Sequence, residues 1–229
     1  LHRRNHRFHL WSGKSAVIER VMAFIISLSP IGVFTMMAWV VATQGPEILG
    51  SLGIVLGCAY LGYIVHAVLC YSVSAKAFAG INPITFFKKA SPAIPLSMEC
   101  SEDLGADNDI SSFVIPLGAT INMDGTAIYQ CVATIFLATC CGMTLTLGQM
   151  VTIVVTATLA SIGTAGTPGA GMIMLAMVLQ AMNIPVDMIM IIYGVDRLFD
   201  MGRTCLNITG DISCALCVTK WESKKTAVK

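Results

Sequence analysis

The chain has 229 residues, of which 55% are apolar and only 12% are charged, and its mean hydropathy is +0.77. Soluble domains carry about 25% charged residues, so this composition excludes an ordinary soluble enzyme domain and a disordered chain. The formal net charge of +1 gives no general attraction for nucleic acid, and we expect no nucleic-acid partner. The class that remains is an all-α protein in a lipid bilayer.

Residues 1–20 form a basic stretch in front of the first apolar segment. They carry five Lys and Arg residues against a single acid, Glu19. The stretch lacks the cleavage site of a secretory signal, so we interpret it as a cytoplasmic lead-in.

Five apolar segments follow, and each is long enough for the roughly 20 residues that cross a hydrocarbon core. They lie at 21–43, 50–75, 113–141, 149–182 and 187–218. The basic lead-in and the basic tail at 219–229 both favour the cytoplasmic side, whereas the loop at 44–49 has no Lys or Arg and favours the outside. Five complete spans would put the tail outside, so one segment must fail to cross.

The segment 149–182 is the one that we expect not to cross. Residues 163–171 hold four glycines and Pro168, which a continuous helix does not tolerate well. The two halves are too short to span, so the pattern predicts a re-entrant helical hairpin. Broken backbone at membrane depth is tolerated where it lines a wet cavity, so the hairpin tip is expected to face a ligand.

Polar residues recur on one face of the last segment. At 100° per residue they fall on an arc of about 80°; they are Asp196, Asp200, Arg203, Asn207 and Asp211. Ionisable residues in a membrane helix are costly and indicate function. Three carboxylates against one guanidinium leave an excess of negative charge, which calls for a cation.

The third segment is interrupted by polar residues between Gly118 and Thr126. Asn122 and Asp124 lie beside Gly125, which loosens the helix. Freed carbonyls together with amide and carboxylate oxygens are hard ligands, which suit a small hard cation better than a transition metal. Unwound carbonyls that hold sodium are a recurring feature of transporters. A simple helix kink remains the alternative.

Three motifs together resemble the dicarboxylate/amino acid:cation symporter family, the glutamate transporter family. They are INMDGT at 121–126, SIGTAGTPGAG at 161–171 and DRLFDMGRTCLNITGD at 196–211. The resemblance implies scaffold-type helices at 21–80 and a transport core at 81–218, with a re-entrant hairpin before each of two core helices. It also implies a homotrimer.

The resemblance implies roles for individual residues. Arg203 would pair with the side-chain carboxylate of an acidic substrate, and Asp200 would receive the α-amino group. The full substrate set would be Thr126, Thr164, Ala165, Gly166, Thr167, Asp200, Arg203, Thr204 and Asn207. The sodium ligands would be Gly118, Thr120, Asn122, Asp124, Ser161, Ile162, Thr164, Asn207 and Asp211.

The sequence therefore predicts a sodium-coupled symporter of acidic amino acids or dicarboxylates, and not an enzyme. It would lie in the plasma membrane with both termini in the cytoplasm, and protons remain an alternative coupling ion. The first hairpin is shortened near 90–95, where the family carries a serine-rich tip. A truncated, non-transporting remnant is thus a second interpretation. An intramembrane aspartyl protease that uses Asp196, Asp200 or Asp211 is a distant third.

Overall fold

The computed structural model describes residues 2–90, 93–164 and 169–227, and all regular structure within these ranges is helical. The predicted all-α class is therefore confirmed. Helix α1 runs from His2 to Gln44, so the basic lead-in and the first apolar segment belong to one helix.

Helix α2 begins at Ile48 and is α-helical to His66. It continues through two π-helical stretches and ends at Ala79, before Gly80 with a φ of 73°. In the described part of the chain, Ile48–Ala79 is the one helix whose length and apolar composition would let it cross a membrane by itself.

The surface of α2 is apolar on its exposed side as well as on its packed side. Ala59 and Tyr63 are buried against the protein, whereas Ile54, Leu61 and Leu69 are each more than 60% exposed. A helix that is apolar all round suits a membrane better than water. The exposed side of α2 is thus a surface for lipid.

Two short helices, α3 (Pro83–Ala90) and α4 (Ala93–Asp103), follow α2 and pack on each other. At 1.5 Å per residue they are about 12 and 16 Å long, far less than a bilayer core. They occupy the position of the predicted shortened first hairpin.

The third apolar segment forms two helices, α5 (Asn108–Ile121) and α6 (Asp124–Cys140). Asn122 and Met123 separate them with non-helical backbone angles. The element starts earlier than the predicted residue 113, whereas its break at Asn122 and Met123 agrees with the predicted interruption between Gly118 and Thr126. Asp107 explains the early start, because its side chain caps α5 by accepting a hydrogen bond from the Asp109 amide.

The fourth segment forms α7 (Leu147–Ser161) and α8 (Ala170–Ala181), which pack on each other. Thr146 and Gln149 form a capping box that starts α7. The two helices are about 22 and 18 Å long, and neither can span a bilayer core. This is the arrangement that the glycine-rich stretch predicted.

The last segment is also interrupted, which the prediction of one element over 187–218 did not anticipate. A 3-10 turn and the short helix α9 (Ile189–Tyr193) precede α10, which runs from Asp196 to Ala227. At the junction, Met37 of α1 occupies the space over Gly194 that a side chain would need. Because α10 continues to Ala227, the basic tail at 219–229 is largely an extension of this helix.

Helix α10 is the centre of the packed structure. It contacts α2, α4, α5 and α6, while α6 also packs on the hairpin α7–α8. The fully buried apolar side chains of these helices form the core; among them are Leu137, Ile153, Leu175, Phe199 and Ile212. The polar face of α10 is thereby held against the two broken elements, α5–α6 and α7–α8.

Candidate functional site

The five polar residues of the predicted arc lie within the single helix α10 and face the protein. Arg203 and Asp211 are each 4% exposed, and Asp196, Asp200 and Asn207 are half-buried. Buried charges require partners, because desolvation of an unpaired charge is costly. The contacts of these residues therefore define the candidate site.

Arg203 is held by two carboxylates and an aromatic ring. Its Nη2 atom donates to Asp200 Oδ1 at 2.7 Å, and its Nη1 atom lies 3.9 Å from Asp196 Oδ1. The guanidinium lies over the ring of Tyr129, 4.7 Å from the ring centroid. Arg197, which is exposed, also donates to Asp200, at 3.3 Å. One carboxylate thus receives two guanidinium groups.

Helices α6 and α10 cross at Gly125. A Cβ atom there would lie 2.7 Å from the backbone oxygen of Arg203, so only glycine permits this approach. The Gly125 amide donates to Asn207 Oδ1 at 2.8 Å, and Asn207 Nδ2 lies 3.4 Å from Thr126 Oγ1. The crossing brings two predicted substrate ligands, Thr126 and Asn207, side by side. Thr204 is exposed beside this face.

A second polar group forms where α10 meets the break between α5 and α6. Asn122 Nδ2 donates to Asp211 Oδ1 at 2.9 Å. Gly118 lies directly against the same carboxylate, and a Cβ atom there would be 2.7 Å from Asp211 Cγ. Three predicted sodium ligands are thus adjacent, and Asn207 lies one helical turn from Asp211. Carboxylate, amide and main-chain oxygens are suitable ligands for a hard cation.

The hairpin meets the end of α5 close to this group. The Gly163 amide donates to the backbone oxygen of Thr120 at 2.7 Å, which joins α7 to α5. Thr120 and Ile162, both predicted sodium ligands, are exposed at this junction.

The hydroxyl groups of the hairpin are used within α7 itself. Ser161 Oγ donates to the Thr158 carbonyl and Thr164 Oγ1 donates to the Ala160 carbonyl, each at 2.9 Å. Both residues are buried, and each hydroxyl oxygen keeps lone pairs for a cation. The predicted tip residues Ala165, Gly166 and Thr167 lie outside the described residues.

Asp124 has partners that the sequence pattern did not identify. Tyr71 donates its hydroxyl to Asp124 Oδ2 at 3.0 Å, and His66 Nε2 lies 3.0 Å from the same oxygen. Tyr71 also contacts the Leu206 carbonyl of α10 at 3.1 Å. An acid inside an apolar segment signals that a partner exists, but nothing in the pattern says which helix supplies it.

Comparison with known proteins agrees with this geometry. Residues 4–221 match the model of the Sodium:dicarboxylate symporter family. The chain belongs to this family. The resemblance carried by the three motifs is therefore confirmed, and the family is one of symporters rather than of enzymes.

Curated relatives include transporters of acidic and of neutral amino acids. The chain is 34% identical to mouse Excitatory amino acid transporter 3 over 84% of its length, and 36% identical to human Neutral amino acid transporter B(0) over 83%. It is 32% identical to the Proton/sodium-glutamate symport protein of Bacillus subtilis over 93% of its length. These matches cover 40%, 38% and 52% of the relatives, so the chain spans about half of their length or less.

Proposed function

We propose that the chain carries the substrate- and ion-binding core of a sodium-coupled symporter for acidic amino acids such as glutamate or aspartate. Residues 81–218 form this transport core, and the helices within 21–80 form part of the scaffold. The protein lies in the plasma membrane with both termini in the cytoplasm, and the family resemblance favours a homotrimer. It moves the loaded core across the membrane against the scaffold and performs no covalent chemistry.

The observation that carries the proposal is the buried guanidinium of Arg203. Its Nη2 atom is bound to Asp200, whereas Nη1 is buried without a hydrogen-bond partner among the described residues. A carboxylate on the substrate side chain supplies the hydrogen-bond acceptor that Nη1 lacks, since the Asp196 oxygen lies 3.9 Å away. Asp200, which is bound to the same guanidinium, is the carboxylate that we assign to the α-amino group of the substrate. This favours an acidic substrate over a neutral one, although relatives of both kinds exist.

The cation is supported by the oxygen groups around the two broken elements. Asp211 and Asn122 lie against Gly118, and the hairpin residues Ser161 and Thr164 lie where α7 joins α5. Asp124 is a second acid in the same region. Sodium fits oxygen ligands of this kind. The name of the Bacillus relative includes both proton and sodium, so protons are the alternative coupling ion.

A binding assay tests the proposal. The purified 229-residue chain in lipid nanodiscs is titrated with radiolabelled L-aspartate and L-glutamate in sodium, potassium or choline chloride. Binding that requires sodium is the expected result. Binding that is independent of sodium but increases at low pH would indicate protons.

The shortened first hairpin favours the second interpretation, a remnant that inserts in the membrane without transporting. Absence of binding of either amino acid under every ionic condition would support it. Uptake by proteoliposomes separates a binding-competent remnant from a complete symporter, because the remnant binds substrate without accumulating it.

A further inference from the structure

The first turn of α8 lies directly against the guanidinium of Arg203. A Cβ atom at Gly171 would overlap Nη1 and would lie 2.8 Å from Cζ and 3.2 Å from Nη2. Cβ atoms do not approach heavy atoms this closely in proteins. The guanidinium therefore occupies the volume that any side chain at position 171 would fill.

Met172, the next residue of α8, holds the aromatic ring that lies against the guanidinium. Tyr129, whose ring lies beneath Arg203, donates its hydroxyl to Met172 Sδ at 3.0 Å. Phe199 packs on the same ring with the centroids 5.2 Å apart. Tyr129 is completely buried and is held by side chains of both α8 and α10. The guanidinium is thus confined between Gly171 and a ring that Met172 anchors.

This confinement determines which donor is left for a ligand. Nη2 is directed to Asp200, and Nη1, the atom nearest to position 171, is buried and has no hydrogen-bond partner among the described residues. Asp196 Oδ1 attracts Nη1 from 3.9 Å but is too far away for a hydrogen bond, so packing also holds this donor in its place. Gly171 and Met172 supply that packing.

We propose that Gly171 and Met172 form a seat for the Arg203 guanidinium, and that glycine at position 171 is a determinant of acidic-substrate specificity. A larger residue at 171 turns the guanidinium away from Tyr129 and moves Nη1 from the substrate carboxylate. The substrate class rests on the proposed function, whereas the seat is a packing relation that exists without any ligand.

A double-mutant cycle on thermal stability tests the seat without substrate. Gly171 lies in the first turn of α8 and has no positive φ that would require glycine, so alanine is intrinsically the better residue there. Gly171→Ala is nevertheless expected to lower the midpoint of thermal unfolding, because its Cβ overlaps the guanidinium. In an Arg203→Cys background the same change is expected to be neutral or stabilising, since the overlapping atoms are gone. Equal effects in both backgrounds would overturn the seat.

Substrate binding tests the specificity. In saturating sodium, Gly171→Ala is expected to weaken L-aspartate binding by about tenfold or more, as the loss of one charged hydrogen bond implies. The matched control is Gly148→Ala in the partner helix α7, where a Cβ atom meets nothing within 4 Å; it is expected to bind like the unchanged chain. Unaltered affinity in Gly171→Ala would refute the specificity role. If the unchanged chain binds no acidic amino acid, the proposed function and the specificity role fail together, while the stability cycle still decides the seat.

Discussion

Glycines determine how closely the charged residues of α10 approach their partners. Gly118 admits the Asp211 carboxylate, Gly125 admits the backbone at Arg203, and Gly171 admits the Arg203 guanidinium. At each position a Cβ atom would be within 3 Å of the partner. Ordinary glycine-to-alanine changes in helices are stabilising by about 0.5–1 kcal/mol. Here the site requires the opposite choice, because a charged side chain occupies the space at Gly118 and Gly171, and the α10 backbone occupies it at Gly125.

Replacement of Arg203 tests the residue that determines substrate charge. Arg203→Cys removes the one guanidinium on the polar face that is buried, and a buried substrate carboxylate is then left without its charged partner. We expect loss of acidic amino acid binding, with binding of small neutral amino acids such as serine permitted. Competition between labelled aspartate and unlabelled serine measures both effects. Aspartate affinity equal to that of the unchanged chain would refute the assignment.

Replacement of Gly118 tests the sodium group at Asp211. The Cβ atom of Gly118→Ala displaces the carboxylate, so sodium affinity is expected to fall by about tenfold, or roughly 1.4 kcal/mol. Gly53→Ala in α2 is the matched control, because a Cβ atom there meets nothing within 4 Å. The sodium concentration that gives half-maximal aspartate binding is the measurement. If both variants give the same half-maximal sodium concentration, Gly118 is not part of the ion site.

At the scale of elements, two of the elements that face the site are broken within it, and a third, α10, begins beside it. The break between α5 and α6 falls at Asn122 and Met123, the break between α7 and α8 follows Ser161, and α10 begins at Asp196 after a turn. A continuous helix satisfies its own backbone groups, whereas an interrupted one releases carbonyls and amides. The Gly163 amide, for example, bonds to the Thr120 carbonyl of another element. Such breaks supply ligands that side chains alone do not provide.

The hairpin α7–α8 leads to a prediction about sidedness. Because neither helix can span the bilayer and the two helices pack on each other, we predict that the two ends of the hairpin lie on one side of the membrane. Single cysteines introduced within 142–146 and within 183–186, in a background without the native cysteines, are expected to react with an impermeant thiol reagent applied to intact cells. Lys88→Cys, on the predicted cytoplasmic side, is the control that reacts only after permeabilisation. Opposite sidedness of the two ends would make 149–182 a true span.

At the scale of the whole molecule, composition and periodicity predicted the helical membrane class and the inward face of α10. The glycine-rich stretch at 163–171 also predicted a broken fourth segment, which α7 and α8 bear out. The partners across helices could not be predicted, because they depend on tertiary packing. His66 and Tyr71 on Asp124, and Gly171 on Arg203, are separated along the chain and have no shared motif. The extra break before Asp196 was missed because the residues from 187 to the start of the polar face at Asp196 are almost all apolar.

The arrangement of the whole core predicts that sodium and substrate bind with positive coupling. Asn122 donates to Asp211, and its neighbour Met123 accepts a hydrogen bond from Asn207. Asn207 also binds Gly125, which lies against the Arg203 backbone. The hairpin contacts both α5, at Thr120, and Arg203, at Gly171. A ligand at either site is expected to stabilise these hairpin contacts, and linkage makes the effect reciprocal. A coupling of about 1–3 kcal/mol corresponds to roughly 5- to 150-fold tighter substrate binding in sodium.

Aspartate titrations at several sodium concentrations measure this coupling. Asp211→Asn removes a formal charge next to the cation, so the sodium dependence is expected to move to higher concentrations. At saturating sodium the aspartate affinity is expected to change much less, because Asp211 contacts Asn122 and Gly118 rather than the guanidinium. If the aspartate affinity does not vary with sodium, then sodium is not the cation that balances the three acids of the polar face. The same titration across pH would then show whether protons balance their charge instead.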